Sequence, residues 1–282
     1  MYAHQVIDSL ESEFKTSILK NNNNFIQETS MLIDGIKNSQ KFHVDTVDNF
    51  SGFCKKEGGI DAWHFTDVKM PYDICYFDWS KDNYGPFKYG CLSINDKQDK
   101  SIIHIVMFLF TKEHSMWSRG FYFYRIKLSN NLQKNVEIDT KPTIIGSLLC
   151  ETTPQYNKRI IQEEEISVLG MLNYVLMFLD CKNIGLKKVP PPEALNRKRK
   201  KYGKTELYTY HTLVLKPIGK KQESIPRDLW NNRIHLCRGH FKTYTKEKPL
   251  FGNITGRFWW QPIVRGKNKK GVIMKDYKIR KD

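Results

Sequence analysis

Apolar residues Val6, Leu10, Phe14 and Ile18 recur every fourth position, which places them along one face of a helix over Val6–Leu19. The run Asn21–Asn24 breaks the period, and Phe25–Ile36 resumes it as a second helix ending near Gly35. Helices of this kind are expected to cover a sheet. Beyond Gly52 the period shortens to that of strands. Ile74–Trp79, Tyr89–Ile94, Ile102–Phe110 and Gly120–Leu128 are short, rich in aromatic and β-branched residues, and separated by polar turns. Four such strands in succession predict an antiparallel meander. In the fourth, Phe121 and Phe123 lie opposite Tyr122 and Tyr124, so one face belongs to a core and the other to a platform or a helix contact.

Ile166–Leu179 is apolar all round, the pattern of a central buried helix. Glu163, Glu164 and Glu165 precede it and are expected in its first turn, where carboxylates suit the helix dipole. Successive helical side chains diverge, which argues against this triplet as metal ligands. Pro190–Pro192 then gives a stiff link, followed by five consecutive cations, Arg197, Lys198, Arg199, Lys200 and Lys201. Such a run cannot be buried; it reads as an exposed loop, a localisation signal or a phosphate-contacting loop. Tyr208–Lys216 alternates as a strand. Further strands are expected at Arg233–Cys237, Arg238–Tyr244, Arg257–Val264 and Val272–Ile279, forming a twisted antiparallel sheet with one basic face. The predicted fold class is α+β: an antiparallel meander sheet packed on a central buried helix, with N-terminal helices and a basic β-rich C-terminal part. Residues 1–186 and 187–282 form its two parts, or one continuous domain.

Charge sharpens this division. The 282 residues carry a formal +16, yet residues 187–282 hold 26 basic and 7 acidic side chains while the first 186 residues are slightly acidic. A one-sided excess points to nucleic acid or another polyanion, whereas an evenly lysine-rich surface would not be polarised along the chain. A hydrophobic content of 40% is enough for a core and excludes global disorder. The six cysteines are scattered with no C-x-x-C pair, as expected of reduced, mostly buried thiols in a cytoplasmic protein. Ile102–Phe110 and Ile166–Leu179 are too short to span a bilayer, and the first residues lack the basic and apolar regions of a signal peptide. No membrane partner is therefore expected.

The candidate chemistry lies in the basic C-terminal part. Arg197, Lys198, Arg199, Lys200, Lys201, Arg233, Arg238, Lys242, Arg257, Arg265 and Lys267 are the expected phosphate contacts, with Trp259 as a stacking face for a base. A metal-independent endoribonuclease needs a base for the 2′-hydroxyl, an acid for the leaving oxygen and cations for the phosphate. His235, His240 and Tyr244 are the residues that fit the proton-transfer roles. A third reading is an inhibitor whose basic surface docks on an acidic host protein. His235, Cys237 and His240 lack the fourth ligand of a structural zinc site. Glu137 and the Asp139-Thr140-Lys141 triplet only faintly match a metal-dependent nuclease. No P-loop, dinucleotide-binding glycine pattern or nucleophile elbow is present, so no metal and no cofactor is expected.

The block from His235 to Tyr244, with Leu250–Trp260 and Val264–Gly266, resembles one found in bacteriophage and prophage proteins that carry no assigned activity. Met70–Trp79 and Phe178–Asn183 resemble the same group. The resemblance implies a phage-encoded protein acting in the host cytoplasm and transfers no catalytic residue.

Overall fold

The structure, a computed structural model, describes residues 1–44, 68–81, 87–111, 115–128, 137–147, 158–216, 235–237, 239–260 and 263–265. For 80, 81, 87, 111, 137, 158–168, 235–237 and 263–265 it describes the backbone alone. The expected strands at Arg233 and Val272–Ile279 lie partly or wholly outside the described residues, as do Arg233, Arg238 and Lys267.

The chain opens with helices α1 (Ala3–Thr16) and α2 (Asn23–Asn38). The asparagine run supplies the start of α2: Asn22 accepts a hydrogen bond from Phe25 N at 3.1 Å and satisfies one of the first-turn donors. Strand β1 (Gln40–Val44) follows, then β2 (Ile74–Lys81), β3 (Phe87–Asn95), β4 (Ile102–Thr111), β5 (Met116–Lys127) and β6 (Glu137–Pro142). Helix α3 (Lys158–Leu179), strand β7 (Ile184–Val189), helix α4 (Glu193–Lys201) and strand β8 (Tyr210–Leu215) come next. Eight of these strands form one sheet in the order β6-β5-β4-β3-β2-β1-β8-β7. From β2 to β6 every pairing is antiparallel, the expected meander with one strand more than the sequence pattern showed. On the other side β1 pairs parallel with both β2 and β8, which makes the sheet mixed.

The sheet is buried on both faces. On one, Phe42, Phe77, Trp79, Ile103, Ile105, Tyr122 and Tyr124 share a buried cluster with Leu169, Leu172, Val175 and Leu176 of α3. On the other, Tyr76, Leu92, Phe108 and Trp117 share one with Val6, Ile7 and Leu10 of α1 and Leu32 and Ile36 of α2. Burying side chains of this size contributes about 1.5–3 kcal/mol each before entropy is counted. The thiols of Cys75 and Cys91 lie in the first cluster, and burial pushes both up to about 12. They are therefore neutral and unreactive near neutral pH.

Two polar groups tie α1 down. Asp78 of β2 is fully buried and lies opposite His43 of β1, whose Nδ1 bonds its Oδ1. Tyr2 N donates to the other oxygen. Tyr210 of β8 accepts from Ala3 N at 2.7 Å, and the nearby charge of Asp78 adds to burial in raising its hydroxyl. A carboxylate thus meets the positive end of the α1 dipole and takes the place of an N-cap. Farther along, Arg119 of β5, 1% exposed at its side chain, pairs with Glu13 of α1 at 2.8 Å and Glu28 of α2 at 3.0 Å, and donates to Thr29.

Three expectations are corrected here. Helix α3 begins at Lys158, so Glu163–Glu165 sit beyond its first turn and do not complement its N-terminus. The cation run Arg197–Lys201 is helical rather than a loop. The division expected at residue 187 falls elsewhere: one unit comprises 1–180 with 186–214, the other 181–185 with 215–282. The reason is β8, whose Tyr210, His211 and Thr212 pair with β1 and so bind residues of the basic tail to the main sheet.

His4 gives a pH-dependent contribution from α1. Burial, followed by the positive charge of Arg199, lowers it from 6.5 to about 4, against an opposite pull from Asp8 and Asp78. Between pH 6.5 and 4 the unfolded chain takes up a proton that the folded chain refuses, so stability falls as pH falls through that window. Replacing His4 by Gln is expected to flatten this part of a plot of unfolding free energy against pH. The change should be on the order of 1 kcal/mol, because the ring is only part-buried and solvent screens it. An unaltered acid limb in the variant would exclude His4 as its source.

Candidate nucleic-acid interface

A nine-residue helix with no buried side chain, its Leu195 45% exposed, has no apolar face to hold it to a core. α4 is held instead by two side chains one turn apart. Asn196 donates to Leu207 O at 3.0 Å and accepts from Leu207 N at 2.7 Å. Arg199 donates through Nε to Thr205 O and pairs through Nη2 with Asp8 of α1 at 2.8 Å. Asp8 also accepts from Thr205 N, closing a small network over 196–207 and α1. With 17% of its side chain exposed, Arg199 is committed to the fold, which corrects its assignment as a free phosphate contact.

The remaining cations have the opposite situation. Helical spacing sets Arg197, Lys198 and Lys201 on the side away from these anchors, with Lys200 on the flank. Arg197 has a weak, exposed partner in Glu193, 3.8 Å away. No ion pair among the described residues reaches Lys198, Lys200 or Lys201. Cations in a last turn favour the helix dipole, which offsets part of their mutual repulsion. The helix is followed by Tyr202, 64% exposed, and by exposed Lys204. Lys187 and Lys188 are exposed on β7, which forms one edge of the sheet. A cleft of about 350 Å³ beside α4 is lined by Asn196, Arg197 and Lys200 but also by Glu193 and Glu206. Its mixed charge makes it a poor anion pocket, so the cationic surface is the outer face of the helix rather than this cleft.

Among its described residues the second unit has two small sheets. β9 (His235–Cys237) pairs with β12 (Ile263–Arg265), which sets His235 opposite Arg265 in the backbone register. β10 (His240–Tyr244) pairs with β11 (Gly256–Trp260). His240, Lys242 and Tyr244 alternate onto one face of β10, with His240 exposed and the Lys242 ammonium 4.8 Å from the centre of the Tyr244 ring. Four residues of strand separate His240 from Tyr244 by roughly 13 Å. That spacing does not set the two as acid and base on one phosphorus. The described residues also contain no cluster of three or more metal-ligating side chains. Asp139 of the weak D-T-K motif lies on edge strand β6 and pairs with Arg125 at 3.0 Å.

Trp259 is corrected as a stacking face. It is 8% exposed, packs against Phe241 at 4.7 Å, and has its backbone N–H and carbonyl both bonded by the side chain of Asn183. Arg257 is half-buried, and its carbonyl accepts from Lys182 N at 2.9 Å. At 64% and 68% exposed, Tyr202 and Phe251 are the most solvent-facing aromatic side chains among the described residues, and neither is among the expected site residues. Both adjoin a glycine in a lysine-rich stretch, which was the available signal. The His43–Asp78 pair has residue types suited to acid-base chemistry, but Asp78 is sealed and both its oxygens accept hydrogen bonds.

No family model, curated protein or solved structure matches the chain. The phage resemblance gains no support from these comparisons.

Proposed function

We propose that the protein binds nucleic acid through the outer face of α4, with Arg197, Lys198, Lys200, Lys201 and Lys204 on phosphates and Tyr202 against a sugar or base. The supporting observation is the division of labour within one short helix: Asn196 and Arg199 fix it, while Lys198, Lys200 and Lys201 meet no ion-pair partner among the described residues and Arg197 has only the exposed Glu193 at 3.8 Å. Ammonium groups on a fixed helix lose less freedom on meeting a phosphate chain than the same groups on a coil. Exposed Lys242 belongs to the same binding reading in the second unit. The reading extends to a phage-encoded protein acting on DNA or RNA in its host.

The test is the salt dependence of binding. Replacing Lys198, Lys200 and Lys201 together by Ala is expected to weaken association with a duplex or a single strand by roughly 10–100-fold. The slope of log K against log salt should fall in magnitude by about 2–3, since each lost contact removes about 0.7–0.9. An unchanged slope would remove α4 from the interface. Salt-dependent binding to an acidic protein, with none to nucleic acid, would favour the inhibitor reading instead.

A further inference from the structure

The connection between β10 and β11 closes on itself. Leu250 N donates to Ile254 O at 2.7 Å and Ile254 N to Leu250 O at 3.0 Å, which leaves a three-residue tip, Phe251-Gly252-Asn253. The first two tip residues have φ of +51° and +83°. Glycine adopts that region freely, but for a bulky residue it is disfavoured by contact between the side chain and its own backbone. Phe251 nevertheless occupies it and is 68% exposed, while Leu250 beside it is 8% exposed. Neither the backbone conformation nor the hydrated ring contributes to the stability of this unit. Lys246 and Lys248 are exposed on the same connection, with Glu247 between them.

From this we infer that Phe251 is a stacking wedge for an unpaired base of a single-stranded nucleic acid, with Lys246 and Lys248 on the flanking phosphates. The inference rests on the nucleic-acid reading of α4 and specifies the form of the ligand. An exposed ring on a connection that also carries two exposed lysines fits a base and its backbone, the pairing that single-strand binders use. In a duplex the base faces are already stacked and closed to a side chain. An anionic membrane would attract the same lysines, but an interfacial anchor needs a wider apolar face. Here the tip continues with exposed Gly252 and Asn253.

The experiment uses the full chain, an oligothymidylate containing one 2-aminopurine, and a duplex of equal length. Phe251→Asn keeps a residue that tolerates the left-handed region. It is expected to weaken single-strand binding roughly 10–100-fold and abolish the 2-aminopurine fluorescence change. It should leave the salt slope and duplex affinity unchanged and should not lower the thermal midpoint. Phe251→Trp is expected to retain binding. Wild-type single-strand affinity in Phe251→Asn, alongside weakened binding in the α4 triple variant, would overturn the wedge and leave the proposed function standing. Absence of binding to either nucleic acid would overturn the proposed function and the wedge with it. A midpoint lowered by several degrees would reassign Phe251 to packing. Phe251-dependent binding to phosphatidylserine vesicles, with no preference for single strands, would overturn the wedge in favour of a lipid contact.

Discussion

Replacing Asp78 by alanine is expected to destabilise the folded chain by about 3–5 kcal/mol, read from urea unfolding followed by circular dichroism. The side chain is wholly buried and joins α1 to the sheet: it accepts from Tyr2 N at the start of α1 and meets His43 of β1. Removing it leaves Tyr2 N without its acceptor and His43 without its carboxylate, in a region too closed for water to compensate fully. Asp78→Asn keeps the shape and one acceptor oxygen, so a smaller loss is expected. Combining Asp78→Ala with Tyr210→Phe should cost clearly less than the sum of the single changes, because both side chains hold the same N-terminal turn of α1, through Tyr2 N and Ala3 N. A loss below about 1 kcal/mol for Asp78→Ala, or strict additivity in the pair, would refute this anchoring role.

A loss of similar size, about 3–5 kcal/mol, is expected for Arg119→Ala. The guanidinium is almost completely enclosed and holds Glu13 of α1 and Glu28 of α2 against β5. Without it, two carboxylates face each other near the sheet, and Glu28, 10% exposed, keeps only its bond from Ile144 N. Neutralising both acids in the same background, with Glu13→Gln and Glu28→Gln, is expected to recover much of the loss, since the penalty arises largely from unpaired charge. Failure of this rescue, measured by the same unfolding curves, would show that the cost lies in lost packing of the arginine stem instead.

Much of the main sheet was legible because its signal is local. In β2 to β5 apolar and aromatic residues recur at the strand period between polar turns, and a hairpin meander needs no information from distant sequence. The two N-terminal helices were legible for the same reason. β1 was not: Lys41 and His43 alternate with Phe42 and Val44, so half of its short run reads as surface. In the fold Lys41 is 4% exposed, its ammonium bonds the carbonyls of Lys37 and Ser39 at the C-terminal end of α2, and burial lowers it to about 8. A buried strand with polar side chains is recognisable only when their partners are known.

The basic run shows the same limit at the candidate site. Arg199 and Lys200 are neighbours of identical charge, and nothing local separates them. What separates them is Asp8, nearly two hundred positions earlier, which takes up one of the two. Trp259 and Trp260 pose a similar choice, settled for Trp259 by Phe241 on one side and Asn183 along its backbone.

By itself the sequence determined where the strands and helices of the meander run, that cations accumulate after residue 187, and that the cysteines form no paired motif. Periodicity and composition are properties of neighbouring residues, and solvation acts on them directly. Only the tertiary structure decided that β8 joins β1, that Asp78 caps α1, which cations of α4 remain available, and that Phe251 projects while Trp259 is enclosed. Apart from the projection of Phe251, which follows from its local turn, each of those outcomes depends on a contact between residues distant in the chain, where burial and pairing set the energy and local preference has little say.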